Sequence, residues 1–264
     1  MSRSLPVSLF FLACATLAAG AETAQQRGKR VVYEALDALG GKQYLAMEDR
    51  VESGRAYSFY RGEIEGLSIA TIYTRYLVPT PGKVSARERE NFDKDQKYGV
   101  LFNESGAWEI TYRGARPLDS KRIDAFRDGT LRNVFYILRE RLGEPGLDFY
   151  SQGADMYENR PVEIVDITDA SNLTTTVYFS ALDKLPVRQI FKRRNPEYKD
   201  FDTEETIFAK YRDVGGVKWP YSIRRYRNRE KIFEMYSDSV HINRNLTDDL
   251  FTLPGNIKIL PAPK

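Results

Sequence analysis

The chain has 264 residues, with 40 Lys and Arg against 37 Asp and Glu, one histidine and one cysteine. A formal charge of +3 gives no electrostatic case for nucleic-acid binding. One histidine and one cysteine leave no disulfide framework and none of the usual structural zinc sites.

The first segment, "MSRSLPVSLFFLACATLAAGA", has one early arginine, an apolar run from Leu5 to Leu17 and small residues at Ala19-Gly20-Ala21. That pattern predicts a secretory signal peptide over residues 1–21, and the apolar run is too short for a bilayer span. Cleavage after Ala21 leaves residues 22–264 as one domain with a charge of +2. Cys14 has two readings: an ordinary apolar residue of the signal, or a lipidated cysteine after Phe11-Leu12-Ala13. With cleavage after Ala21 the remaining chain has no cysteine. An exported protein of this size without disulfides points to a bacterial periplasm.

Residues 24–39 predict a helix, because Val31, Val32, Ala35, Leu36 and Leu39 recur at helical spacing before Gly40-Gly41. From Leu45 to Phe92 the period changes to two, and "GLSIATIYTRYL" places Leu67, Ile69 and Tyr73 on one face. Short strands continue through "KYGVLFNESGAWEITY". A second amphipathic helix follows, with a stripe of Ile123, Phe126, Leu131, Val134, Phe135, Leu138 and Leu142 and a kink, or a break into two shorter helices, expected at Gly129. From Leu147 to Asn243 the pattern is an antiparallel meander. Its turns fall at Glu158-Asn159, Asp169-Ala170, Asp183-Lys184, Asn195-Pro196, Gly215-Gly216 and Asn228-Arg229.

These elements predict an α+β fold, mainly antiparallel. About ten strands in one sheet must curl strongly. Two helices are too few to cover both faces, so the economical arrangement is a curved, incomplete barrel with the helices in its concave side.

Several stretches carry a family resemblance: "ALDALGGKQYL", the long central helix, "YFSALDKLPVRQIFKR", "DTEETIFAKYRDVGGVKWPYSIRRYRN" and the closing "NLTDDLFTLP". In this order and spacing they resemble the LolA/LolB-like superfamily of periplasmic proteins, the outer-membrane lipoprotein-sorting type. The resemblance covers most of residues 22–264. It implies a half-barrel capped by helices, whose apolar interior holds acyl chains of a lipoprotein or another lipid.

Catalytic equipment is sparse. His241, the sole histidine, lies in "YSDSVHINRN", where neighbouring strand residues face opposite ways and make no preformed triad. "DFDTEE" lacks the glycine and distal glutamate of an EF-hand loop, and no phosphate-binding loop is present. The expectation is a non-catalytic, monomeric periplasmic carrier for a lipid, acyl chain or lipoprotein, with no cofactor and no metal. It would work with an envelope transporter or an outer-membrane partner. Phe126, Leu131, Phe135 and Leu138 from the helix and Val177, Phe179, Trp219 and Tyr221 from the sheet are the expected ligand-binding residues. Each could equally be plain core. Lys192, Arg193, Arg194, Arg224 and Arg225 are the expected basic rim for headgroups or a partner. The alternative is a structural or interaction protein with a filled core that docks through that rim.

Overall fold

The computed structural model describes residues 21–93, 98–195 and 197–263; the expected signal segment, with Cys14, lies almost wholly outside them. After α1 (Ala24–Leu39) and α2 (Lys42–Leu45) come β1 (Asp49–Tyr60), β2 (Glu63–Tyr76), β3 (Ala86–Phe92), β4 (Tyr98–Asn103), β5 (Gly106–Thr111) and β6 (Gly114–Pro117). Then come α3 (Ser120–Leu131), α4 (Val134–Tyr136) and a π-helical turn, Ile137–Arg141. The meander follows: β7 (Asp148–Tyr157), β8 (Arg160–Thr168), β9 (Thr174–Ser180), β10 (Pro186–Arg194), β11 (Phe201–Val214), β12 (Val217–Arg227) and β13 (Glu230–Ile242). A short 3-10 turn at Asp248–Phe251 ends the regular structure.

All thirteen strands form one open, curved sheet in the order β6-β5-β4-β3-β2-β1-β13-β12-β11-β10-β9-β8-β7. Each named strand pair is antiparallel, and among the described residues the only crossover joins β1 to β13. The sequence reading counted about ten strands. Four-residue β6 is not legible locally, because its outer partner is distant in sequence. Ala115 N donates to Lys258 O (2.9 Å) and Leu260 N donates to Ala115 O (2.8 Å), so the C-terminal tail covers that sheet edge. Three predicted turns, Glu158-Asn159, Gly215-Gly216 and Asn228-Arg229, hold both residues at positive φ. That is the two-residue hairpin geometry whose twist matches the strands.

α1 starts where expected for a reason visible in sequence. Thr23 accepts from Gln26 N, and the Gln26 side chain accepts from Thr23 N, a reciprocal capping box. Its buried stripe packs with Tyr44, Met47, residues 134–138 and the β7–β12 side of the sheet into the main core. Gly28 sets how close α1 lies to β7, since a Cβ there would stand 2.6 Å from Phe149 O and 2.9 Å from Ser151 N.

The second helical region differs from expectation. It breaks at Arg132-Asn133, not at Gly129, because the Asn133 side chain caps a new turn by accepting from Phe135 N (2.9 Å). The two halves also differ in burial. No residue of α3 is fully buried, whereas Val134, Phe135, Tyr136, Ile137 and Leu138 all are. Tyr44 Oη donates to Phe135 O at 2.6 Å and locks the inner half to α2.

Gly28→Val is expected to cost about 1–3 kcal/mol by overpacking. Gly129→Ala, with open space around it, is expected to gain about 0.5–1 kcal/mol of helix stability. Urea unfolding midpoints check both, and an unchanged midpoint for Gly28→Val would mean that α1 does not lie this close to β7.

Candidate functional site

The helices fill only part of the concave face. Between α3, residues 133–136, β1–β4 and β10–β13 remains a cavity of about 790 Å³, within the range of pockets that enclose small organic ligands.

Its apolar sector is aromatic. Phe135 meets Phe208 edge-on at 4.9 Å and Trp219 at 5.0 Å between ring centres. Phe126 reaches in from α3 and is stacked on Phe102 at 3.6 Å. Ile223, Phe233 and Met235 continue this surface along β12 and β13.

A polar network crosses the floor. Glu52 and Arg50, 1% and 8% exposed, form an ion pair. Glu52 also accepts from Trp219 Nε1 (3.2 Å) and from Ser237 Oγ. The Arg50 guanidinium lies 4.2 Å over the Trp219 ring and donates to Thr74 Oγ1 (2.9 Å), which in turn donates to Glu88 (3.3 Å). The chain of contacts links β12 and β13 through β1 and β2 to β3. Each carboxylate oxygen so held has its buried lone pairs answered, as a buried charge requires.

On β3, Glu88 and Glu90 project into the cavity together. Burial pushes the Glu90 carboxyl up to about 8, helped by the charge of Glu88 and a hydrogen bond to it, and partly opposed by Arg225 and Arg122. At the wider end, Arg193 Nη2 and Arg227 Nε both donate to Glu204 Oε1, at 2.6 and 2.9 Å. Arg225 lies over the Phe233 ring at 5.3 Å.

Of the residues expected to bind ligand, Phe126, Phe135 and Trp219 line this cavity. Leu138, Val177, Phe179 and Tyr221 belong to the packed core, and Leu131 is half-buried at the end of α3. Of the expected rim, Arg193 and Arg225 line the cavity, Lys192 and Arg194 are exposed, and Arg224 is half-buried opposite Glu234. Strand parity explains the split: Trp219, Ile223, Arg225 and Arg227 share one face of β12. The sequence reading did not single out Arg50, Glu52, Glu88 and Glu90. A signal existed in "ARERENF", where Glu88, Glu90 and Phe92 alternate with Arg87, Arg89 and Asn91. Exposed His241 lies on β13 opposite Val51. Among the described residues no three His, Cys, Asp or Glu side chains are grouped to hold a metal ion, and no helix is long and apolar enough to cross a membrane.

Glu90 makes stability fall with pH. The unfolded side chain loses its proton near the ordinary 4.5, the folded one near 8. Between these values the folded state holds the extra proton, so rising pH favours unfolding. The group's contribution is whole below about 4.5 and is lost as pH passes about 8. The melting temperature should therefore drop more between pH 6 and 9 in the wild type than in Glu90→Gln. Parallel curves would mean that Glu90 titrates as an ordinary glutamate.

No protein-family model and no curated protein matches the sequence. Solved structures do. A DUF1329 family protein from Desulfovibrio piger is 13% identical, with a TM-score of 0.60 over 85% of this chain and 97% of that one. An outer membrane lipoprotein-sorting protein domain from Vibrio parahaemolyticus is 9% identical, with a TM-score of 0.58 over 86% and 97%. A LolA superfamily protein from Nitrosomonas europaea is 10% identical, with a TM-score of 0.54 over 85% and 97%. At such identities the likeness concerns architecture, and the architecture is the LolA-like one, an open curved antiparallel sheet with its helices in the hollow.

Proposed function

We propose that this protein is a non-catalytic, periplasmic carrier or binding protein for an acyl-chain amphiphile, either a lipid or a lipid-modified protein. The observation that carries the reading is the cavity of about 790 Å³ under α3. An ordinary core would have filled it, since interiors pack with few voids larger than a water molecule. Burial of an acyl chain against Phe126, Phe135, Trp219 and Met235 would supply roughly 0.8 kcal/mol per methylene.

α3 suits the part of a cover. It has no fully buried residue, and its ion pairs to the sheet side, Lys121–Glu197 (3.2 Å) and Arg122–Glu109 (3.8 Å), are largely exposed. Exposed pairs of this kind contribute about 0–1 kcal/mol each. The alternative, docking through a basic rim, has less support, because Arg193 is paired with Glu204 and Arg224 is half-buried opposite Glu234, which leaves Lys192, Arg194 and Arg225 as its exposed members. Export by residues 1–21 and delivery to an envelope partner belong to the same proposal.

The test is native mass spectrometry of the protein purified from its own cell envelope, followed by solvent extraction. A stoichiometric acylated molecule is expected. Ile223→Asp, which places a carboxylate on the apolar wall, should lower occupancy at least about tenfold. A bare mass, with no uptake of added fatty acid or phospholipid, would overturn the reading.

A further inference from the structure

The cavity's charged groups are sorted. Most are answered within the protein. Arg50 pairs with Glu52, Arg193 and Arg227 share Glu204, and Glu205 accepts from Arg188 Nε at 2.6 Å. Arg122 reaches Glu109 at 3.8 Å. Three lining charges have no ion-pair partner within 4.0 Å among the described residues: Glu88 and Glu90 on β3, and Arg225 on β12.

β3 and β12 stand four places apart in the sheet, yet its curl brings their side chains to the same hollow. Arg225 acts on Glu90 across that space, as Arg122 does from α3. The acidic pair and the Arg225 guanidinium thus line one hollow beside the aromatic wall without an ion pair between them. Charges of opposite sign kept apart on one hollow, the glutamates half-buried within it and Arg225 at its exposed mouth, are a mould for a group that carries both signs.

We infer that the carried amphiphile has a zwitterionic headgroup, with an ammonium seated at Glu88 and Glu90, an adjacent phosphate at Arg225, and its chain along Phe126, Phe135 and Trp219. This rests on the carrier reading and narrows it to aminophospholipid-type ligands. A charge-assisted hydrogen bond to each carboxylate is stronger than a neutral one and can only form with an ammonium still bearing its protons. The proton that Glu90 holds near neutral pH is consistent with a site built around a missing cation. An anionic lipid without the amine would set its charge against that of Glu88, and an uncharged lipid would supply neither an ammonium to the glutamates nor a phosphate to Arg225.

The experiment is isothermal titration of four ligands with the same myristoyl chain into the full-length mature protein. They are lysophosphatidylethanolamine, its N-acetylated form, lysophosphatidic acid and monomyristoylglycerol. Lysophosphatidylethanolamine is expected to bind about tenfold or more tightly than the N-acetylated form, which keeps the phosphate and loses only the ammonium. In Glu88→Gln/Glu90→Gln this gap should shrink to about twofold, and Arg225→Gln should weaken all three phosphate lipids about tenfold while sparing monomyristoylglycerol. If the wild type binds all four ligands alike, the headgroup inference is overturned and the carrier reading stands. If it binds none of them, monomyristoylglycerol included, both fall. The comparison of amine with N-acetyl amine in the wild type decides the matter without any variant.

Discussion

Curvature is the constraint from which the rest of the structure follows. Twist accumulates across antiparallel neighbours, and a sheet of thirteen strands must curl or split. Curling makes one face concave, and that face must be covered or it exposes apolar side chains to water. This chain spends α1, α2 and residues 134–141 on the β7–β12 side, and there the hollow is solid core. Over β1–β4, β13 and the remaining ends of β10–β12 only α3 is left among the described helices, and it spans the gap without filling it. The cavity is thus the uncovered remainder of a curled sheet whose helices run out.

Keeping such a hollow open requires a floor that does not collapse. The Arg50–Glu52 pair is costly to bury, since desolvation can outweigh the attraction of the two charges. It persists because the surroundings answer it from several strands: Trp219 from β12, Ser237 from β13 and Thr74 from β2. A network held from that many strands, with only Arg50 Nε lacking a partner among the described residues, is rigid in a way an apolar layer is not. It also pins the indole of Trp219, so that the wall facing the cavity has a fixed surface.

Much of this was legible in the sequence. The α1 stripe with its terminating glycines, the two-residue turns and the alternation in the meander are local patterns, and local patterns are what a sequence displays. Trp219 and Phe135 were visible as large apolar residues on inward faces. Their separation from Val177, Phe179 and Leu138 was not, because solid core and cavity wall carry the same residue types. The difference depends on how far each helix reaches across the sheet, a tertiary fact. The basic cluster on β12 reads as one rim in sequence, although strand alternation sends Arg224 one way and Arg225 the other. The floor charges are not legible locally, because Arg50 and Glu52 look like exposed strand residues until β13, the last strand, closes beside β1, the first.

The division of the second helical region at Asn133 ties architecture to the proposed activity. Residues 134–138 are buried and held by Tyr44 and by Gln189, whose side chain accepts from Val134 N at 2.8 Å. α3 is held at its C-terminal end, where the Arg132 guanidinium donates to Lys192 O and that of Arg141 to Leu131 O, each at 2.6 Å, and over the rest of its length by the stacking of Phe126 on Phe102 and by exposed ion pairs. Local stability follows buried contact, so opening should involve α3 and leave the anchor in place. A ligand that enters beneath α3 then exchanges the Phe126–Phe102 contact for chain contacts of similar kind. Its headgroup meets β3 and β12, both of which stay fixed. Chain uptake and headgroup choice would therefore be separable in this fold, because movable and rigid elements supply them respectively.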